Sequence, residues 1–516
     1  MRTISFHSIK SFVHQTRSFW LFGWIISLVG LLFHGMWQQF FSTDDWYHLQ
    51  LSRLHSWTEW FNFFRFVPTV QRGASYRPLS TQAFFWALSE LAGLHAWVYY
   101  ACSFGLFLVS IWLLRRFLLK LTHSEQLSWI ATLVYAVSQT HFTHLYFLSS
   151  AQEIFLVLTT LICLLALLAK SSWRADLLVW LGFIGALMSK ETAIILPGLI
   201  GLVLLFRYTQ SKSFFSWSTL WQKVVVARWR MWLGTILIWG GYLYERFQVF
   251  GVSTTIEQSY TFDLSPVQTL HTLRWYGLWS LGAPEALIDY MSGVIQVLPR
   301  FFTDYPRLGT WSLILTIGVL SGLGLVSGWW LLSQVRAKRT GTGTFSQLVF
   351  IVFGGLWFLG TLLPVLFFPQ HRFALELGLP MIGFALIIAA LLQSRPRWVI
   401  VSFLSLYLVL QLVSVQLTQR THYTVLRSRI SEKVHTYFQE KYPAWPANTY
   451  FVFLNDTANH GAAWGSSKQI SQALMQDNYF KTAYPDQEMY VYYEDFPFTP
   501  PEGYDRVELS TQQFLP

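Results

Sequence analysis

Two adjacent carboxylates stand where the first apolar run ends, in Phe40-Phe41-Ser42-Thr43-Asp44-Asp45-Trp46. Carboxylates at that depth are costly unless they face a wet cavity or a partner, so Asp44 and Asp45 are candidates for a base, a metal ligand or an acceptor contact. The alternative is a helix start, with Ser42 or Asp44 capping free backbone N–H groups. Next comes Tyr76-Arg77-Pro78-Leu79-Ser80, whose guanidinium either grips a phosphate and steadies the acid pair or anchors the chain at headgroup level. A third group runs from His141 and His144 to Gln152-Glu153. Two histidines at i and i+3 suit a metal, but no recognised ligand spacing accompanies them, so a divalent ion is left without support. Glu153 also fits simple dipole complementarity at a helix start. The fourth is Ser189-Lys190-Glu191-Thr192, where Lys190 and Glu191 neutralising each other is the cheapest structural explanation. The fifth is Pro369-Gln370-His371-Arg372-Phe373, with Glu376 following, in which Arg372 suits either a lipid-linked phosphate or a headgroup.

The elements that must position these residues are membrane helices. Of 516 residues, 53% are hydrophobic, 18% aromatic and only 12% charged, where a soluble domain carries about 25% charged residues. The mean hydropathy of +0.38 comes from runs near 18–40, 96–118, 127–144, 152–169, 176–189, 192–206, 231–249, 310–333, 347–368, 374–393 and 398–417. Each approaches the roughly 20 residues that cross a bilayer, which predicts about eleven transmembrane helices. The pair at 176–189 and 192–206 reads as two short spans meeting at a polar turn, a single long helix being the alternative. The run from Ser18 to Trp37 lacks a small-residue cleavage site and is expected to stay as the first span. Cys102 and Cys163 both fall inside apolar runs and offer no disulfide framework.

Orientation follows from charge. The segments 1–17, 115–126, 170–176, 207–230, 336–345 and 395–397 carry 18 Lys or Arg and 2 acids, and the intervening segments 10 and 13. The first set is expected inside, giving an N-in, C-out protein with its long loops, 41–95 and 250–309, outside. The net charge of +10 is therefore a topology signal, and nucleic acid is not an expected partner. Leu79 to Leu94 suits an interfacial helix. After Arg420 the composition turns polar. A helix at 422–441, strands at Thr449–Leu454 and Met489–Tyr493 and a helix from Lys468 to Gln476 predict a small α/β domain, 421–516, beyond a membrane portion, 1–420.

All five polar groups fall on the predicted outer side. Gly-rich phosphate loops, a Walker lysine and a nucleophile elbow are missing, which argues against a nucleotide-driven pump. In this ordered series, over about residues 15–420, the chain resembles the GT-C glycosyltransferase superfamily, polytopic enzymes that use polyprenyl-phosphate-linked sugars. It is closest in style to bacterial relatives of the protein O-mannosyltransferases and to the transmembrane and tetratricopeptide-repeat mannosyltransferases, from which it differs in having no helical repeats. The resemblance implies an all-α polytopic membrane enzyme of a bacterial inner or cell membrane, inverting in mechanism. Its catalytic acid would be Asp44, with Asp45 as runner-up. Donor phosphate would meet Arg372, Lys190 and Arg77, with Glu153, Glu191, His371 and His144 in support and no required metal. Its partners would be a polyprenyl-phosphate-linked sugar, membrane lipids and an acceptor of unspecified class, whether protein, lipid or glycan. The competing readings are a non-enzymatic transporter or flippase and an oligosaccharide polymerase or ligase acting on lipid-linked glycans. A late, large outer loop is usual in the last of these, whereas here the informative long loop comes first.

Overall fold

The computed structural model describes residues 6–54, 56–66, 75–210, 216–250, 261–293, 296–340, 345–455, 465–485 and 487–515. Parts of the basic connections 1–17, 207–230 and 336–345 and of both long loops lie outside the described residues. The first half of the chain forms α1 (Phe6–Leu32), α2 (Asp44–Leu51), α3 (Phe84–Ala92), α4 (Ala96–Thr122), α5 (Glu125–Ala136), α6 (Phe142–Tyr146), α7 (Ala151–Leu167), α8 (Trp173–Leu187), α9 (Leu196–Gln210), α10 (Trp217–Leu220) and α11 (Trp229–Phe250). There follow α12 (Pro266–Leu281), a small hairpin of β1 (Met291–Ser292) and β2 (Gln296–Val297), α13 (Pro299–Asp304), α14 (Pro306–Thr340), α15 (Phe345–Leu366), α16 (Pro380–Leu392) and α17 (Arg397–Thr421). Beyond α17 lie α18 (Tyr423–Lys441), β3 (Thr449–Leu454), α19 (Ser466–Leu474), α20 (Asn478–Ala483), β4 (Tyr490–Tyr493) and β5 (Asp505–Ser510).

Every one of the eleven apolar runs coincides with a helix, but the helices are not equal in length. Among the described residues, six are long and apolar enough to cross a membrane: Ala96–Thr122, Leu148–Leu167, Glu191–Gln210, Pro306–Val335, Gln347–Leu366 and Arg397–Thr421. Those six mark the protein as one of the membrane. Ser18–Leu32 and Pro380–Leu392 are apolar but shorter. Two of the predicted spans are also broken internally. The run at 127–144 stops being one helix at Ala136, giving way to a turn at Gln139–His141 and to α6. The run at 374–393 starts with a tight turn, Ala374–Leu377, and becomes α16 only at Pro380, whose missing N–H suits a first helical position. Between α8 and α9 the helix also breaks, at Met188 to Lys190, and resumes through a tight turn, Glu191–Ile195.

Local sequence sets many of these boundaries. Ser124 and Ser172 cap α5 and α8, their hydroxyls accepting from Leu127 and Ala175 N–H. Packing then joins α15 to α16, α7 to α4 and α8, and α14 to α17. Hydrophobic driving force is weak between helices in lipid, so close backbone approach matters more. Gly354 and Gly383 face one another across α15 and α16, and a Cβ on Gly383 would lie 2.5 Å from the Gly354 carbonyl oxygen and 2.8 Å from Phe358 N. A second stitch lies at the end of α12. Gly282 has φ of 108°, and its carbonyl accepts from Ser414 Oγ at 2.6 Å. Gln411 there donates to the Leu281 carbonyl and accepts from Gln139 N–H at 2.8 Å.

The last hundred residues form a three-stranded parallel sheet in the order β4-β3-β5, with Phe451 opposite Val491 on one side and Val507 on the other. The third strand, β5, was not among the expected elements. Its alternation of Val507 and Leu509 with charged residues is the signal that marks it. The sheet's core is continuous with the first long loop: Phe451, Phe453, Ile470 and Phe480 share one buried cluster with Phe41, Trp46, Phe84 and Phe85. Trp46 Nε1 donates to Ser431 Oγ on α18 at 2.9 Å, and Thr43 N–H to the Ala473 carbonyl on α19 at 2.8 Å.

Gly383→Val should lower stability by about 1–3 kcal/mol, because added methyls meet backbone rather than movable side chains. Unfolding of the purified protein in mixed micelles checks this against Gly360→Ala, whose Cβ meets open space. Equal stability of the two variants would contradict the close contact of α15 and α16.

Candidate functional site

The acid pair begins α2, and the two carboxylates do different things. Asp45 is fully buried and its oxygens are committed: Oδ1 accepts from Ser149 N–H at 2.8 Å and Ser149 Oγ at 2.6 Å, and Oδ2 from Ser42 N–H at 3.0 Å. It therefore ties the first loop to the turn before α7. Burial pushes its pKa up to about 7, against the three hydrogen bonds that favour the anion. Asp44, one residue earlier, is half-buried and acts electrostatically on Tyr47, Tyr423 and Arg427. Thr43 before it has φ of 53°, unusual for a β-branched residue and a local strain that fixes where α2 starts. The pair is thus more than a helix start, whose N-cap is Thr43 with no side-chain cap: one acid is structural and the other faces a tyrosine and arginine environment.

Lys190 is the centre of the second cluster. It is buried, and its Nζ donates to Glu153 on α7 and, at 2.7 Å, to Glu376. His371 Nε2 stands 3.8 Å from the other Glu376 oxygen. The expected neutralisation of Lys190 by Glu191 does not occur. The tight turn at Glu191–Ile195 sends the neighbouring carboxylate away, and Glu191 pairs instead with Arg77 Nε at 2.8 Å. Arg77 also donates to Gln152 Oε1 at 2.5 Å, so it braces α7 beside Glu153. Its charge reaches His48 on α2, whose pKa burial first and Arg77 second press down to about 3. Arg77, Glu153, Lys190, Glu191, His371 and Glu376 therefore come together from four separate stretches of chain. Lys190 and Arg77, expected at a donor phosphate, are already engaged by carboxylates.

His141 ends the turn at Gln139–His141, and His144 lies on α6. Both are buried, with His141 Nε2 2.8 Å from the Tyr135 carbonyl, His144 Nε2 2.7 Å from the Leu375 carbonyl, and the two Nδ1 atoms 3.2 Å apart. A carbonyl only accepts, so each Nε2 carries a hydrogen and the ring orientations are fixed. Through Leu375, His144 holds the turn that presents Glu376. Among the described residues no group of three or more His, Cys, Asp or Glu is placed to hold a metal.

Arg372 stands apart from the Lys190 cluster. Its Nη1 lies 2.5 Å from His271 Nδ1 on α12, and Arg274 Nη2 lies 2.7 Å from the same ring's Nε2. Burial first, then the two guanidinium charges, lower the His271 pKa and keep the imidazole neutral. A neutral imidazole has one lone pair and so accepts from one arginine at a time. Two cations on one neutral ring form a natural seat for an anion. Close by, Glu285 accepts from Ala374 N–H at 2.9 Å and stands 3.7 Å from His422 Nε2. Burial raises its pKa to about 7. The buried Tyr276 hydroxyl has no hydrogen-bond partner among the described residues and feels Glu376, Glu285 and Arg372.

Sequence reasoning missed Ser149, His271, Arg274, Tyr276, Glu285, His422 and Arg427. Arg274 carries a faint signal as a basic residue in the long second loop. The others sit singly in unremarkable contexts, and only the fold brings them to the acid pair or to Arg372.

Lys190→Met leaves two buried carboxylates facing each other and should cost about 3–5 kcal/mol. Adding Glu153→Gln in the same chain should restore part of that loss. An additive double variant, read from unfolding in mixed micelles, would remove the charge-pairing explanation. Asp45 yields a pH signature. Its folded pKa near 7 exceeds the ordinary 3.8, so its contribution to stability is complete below about pH 4 and is lost as pH rises to about 7. Asp45→Asn should flatten that slope in thermal unfolding, and an unchanged slope would mean Asp45 is ionised in the fold throughout.

No family model and no curated protein matches this chain. Among solved structures, the oligosaccharyltransferase of Archaeoglobus fulgidus, crystallised with zinc and sulfate, aligns over 88% of this chain at 12% identity with a TM-score of 0.32. The chain spans 61% of the length of that structure, and at this score the likeness carries neither fold nor function.

Proposed function

We propose that the protein is an inverting glycosyltransferase that moves a sugar from a polyprenyl-phosphate carrier to an acceptor hydroxyl on the outer membrane face. The observation that carries this reading is the division of labour in the acid pair: Asp45 is committed to Ser42 and Ser149, while Asp44 stays half-buried at the start of α2 beside Tyr47, Tyr423 and Arg427. In this reading Asp44 takes the proton of the acceptor hydroxyl. The acceptor oxygen forms its bond to the anomeric carbon as the bond from that carbon to the phosphate oxygen breaks. Polyprenyl phosphate leaves with the electron pair, and one base suffices because no covalent sugar intermediate is needed.

Arg372 and Arg274 flanking His271 would receive the leaving phosphate, a preorganised charge of the kind that often supplies the largest catalytic term. Lys190 and Arg77, expected as direct phosphate ligands, are better read as holding Glu153, Glu376 and Glu191 in place. The charge count of 18 basic to 2 acidic residues in the inner set supports the outward placement of this site.

Asp44→Asn should lower turnover by roughly 10²–10⁴, the usual contribution of a positioned general base, with donor affinity nearly intact. Arg372→Ala should instead weaken binding of a polyprenyl phosphate, and Asp45→Asn should act through stability. The measurement is transfer from labelled polyprenyl-phosphate sugars beside donor affinity, with folding checked by monodispersity. Near-normal transfer by Asp44→Asn with a dead, folded Asp45→Asn would exchange the two roles. Near-normal transfer by both would remove the enzymatic reading of this loop. A cysteine placed at Asn455 should react with an impermeant reagent from outside intact cells, and labelling only after the inner face is opened would reverse the orientation.

A further inference from the structure

A cavity lined by described residues lies away from the Lys190 cluster. It is a half-open cleft of about 940 Å³ between the first long loop and the C-terminal segment, at the upper end of the size range of small-molecule sites. Its walls are helical. α2 supplies Tyr47 and Gln50, the turn at Trp57–Phe64 supplies Asn62 and Phe63, α3 supplies Ser89 and Glu90, and α20 supplies Lys481 and Thr482. Arg53 closes the join by donating from Nη1 to the Lys481 carbonyl at 2.8 Å.

The chemistry of this lining is specific in two respects. First, its charges balance: Arg53 and Lys481 against Glu59 and Glu90, with Lys481 already paired to Asp477 at 2.6 Å. A phosphorylated or sulfated ligand would want a surplus of cations, and none is present in the described lining. Second, the side-chain amides of Gln50 and Asn62 both donate and accept, while the Ser89 and Thr482 hydroxyls donate to the Trp86 and Asn478 carbonyls and keep lone pairs that accept, beside the rings of Tyr47 and Phe63. Sugar hydroxyls likewise donate and accept, and sugar rings present C–H faces to aromatics. An extended peptide would instead need unpaired backbone groups. The wall helices use theirs internally, and the edge strands β4 and β5 contribute no residue to the cleft. Tyr47 lies one turn along α2 from Asp44, on the same face, and feels its charge.

Resting on the transferase reading above, we propose that this cleft binds the acceptor and that the acceptor is a neutral glycan, whose terminal hydroxyl reaches Asp44 along α2. The C-terminal segment thereby contributes a wall of the acceptor site through α20.

The test is direct binding to the purified full-length chain in micelles. Saturation-transfer NMR would use neutral linear hexasaccharides of mannose, glucose and N-acetylglucosamine, beside a twelve-residue Ser/Thr-rich peptide. At least one hexasaccharide should bind, the peptide should not, and Gln50→Ala with Asn62→Ala should weaken that binding at least tenfold. Ser89→Trp, which sets an indole into the cleft, should also weaken it at least tenfold while thermal unfolding stays cooperative. No binding by any hexasaccharide at 10 millimolar, roughly the weak limit of a specific site, overturns the proposal, as does binding that both variants leave unchanged. Peptide binding lost in the same variants would overturn the glycan class. Hydrolysis of labelled donor by the wild-type protein, followed in the same preparation, reports on the transferase reading by itself, so the two failures are told apart.

Discussion

Lys190 between Glu153 and Glu376 is the constraint around which the membrane portion is arranged. Burying three charges costs several kcal/mol for each ion before any attraction is recovered, so the arrangement persists only if all three side chains arrive together. Each comes from a different stretch: Glu153 from the first turn of α7, Lys190 from the break after α8, Glu376 from the turn before α16. Satisfying the lysine therefore fixes where α8 ends, why the chain turns tightly at Glu191–Ile195, and why α16 cannot begin before Pro380. His144 on the Leu375 carbonyl and Arg77 on Glu191 and Gln152 extend the same restraint outward to α6 and the first loop.

The restraint reaches the acid pair through the turn before α7. Ser149 lies four residues ahead of Glu153, and its N–H and hydroxyl hold Asp45. The orientation of α2 is thus set from both sides: by Asp45 on the membrane portion, and by Trp46 and Thr43 on the C-terminal segment. A strained Thr43 at the junction is tolerated because these contacts over-determine it. The C-terminal sheet is consequently part of what aims Asp44, since its core continues into Phe41 and Trp46.

The cationic pair at His271 follows a different logic. Lys190 and Arg77 are consumed by carboxylates, but Arg372 has no ion-pair partner among the described residues, and its contact is a neutral ring. A cation whose counter-charge is built in holds structure, and the proposed phosphate contact would give Arg372 the counter-charge that the described residues do not. This difference separates Arg372 from the other two expected phosphate ligands.

Composition and periodicity determined much of this by themselves: the apolar runs contain helices, six of them among the described residues long and apolar enough to cross a membrane, the polar tail became helix and strand with β3 at the expected residues, and Asp44, Arg77, Glu153, Lys190 and Arg372 stood out because ionisable groups are rare at membrane depth. Those are local properties, readable from a residue and its neighbours. What only the tertiary structure decided is which charge meets which. Adjacent Lys190 and Glu191 are natural partners by position along the chain, yet they pair with Glu153, Glu376 and Arg77, residues 37, 186 and 114 positions away. Asp44 and Asp45 look alike in sequence, and they differ in the fold because Ser149 and the Ser42 N–H hold Asp45, which is fully buried. Buried charges select partners by distance in space, and in a bundle with tight turns and interrupted helices that distance is set by helix packing rather than by sequence separation.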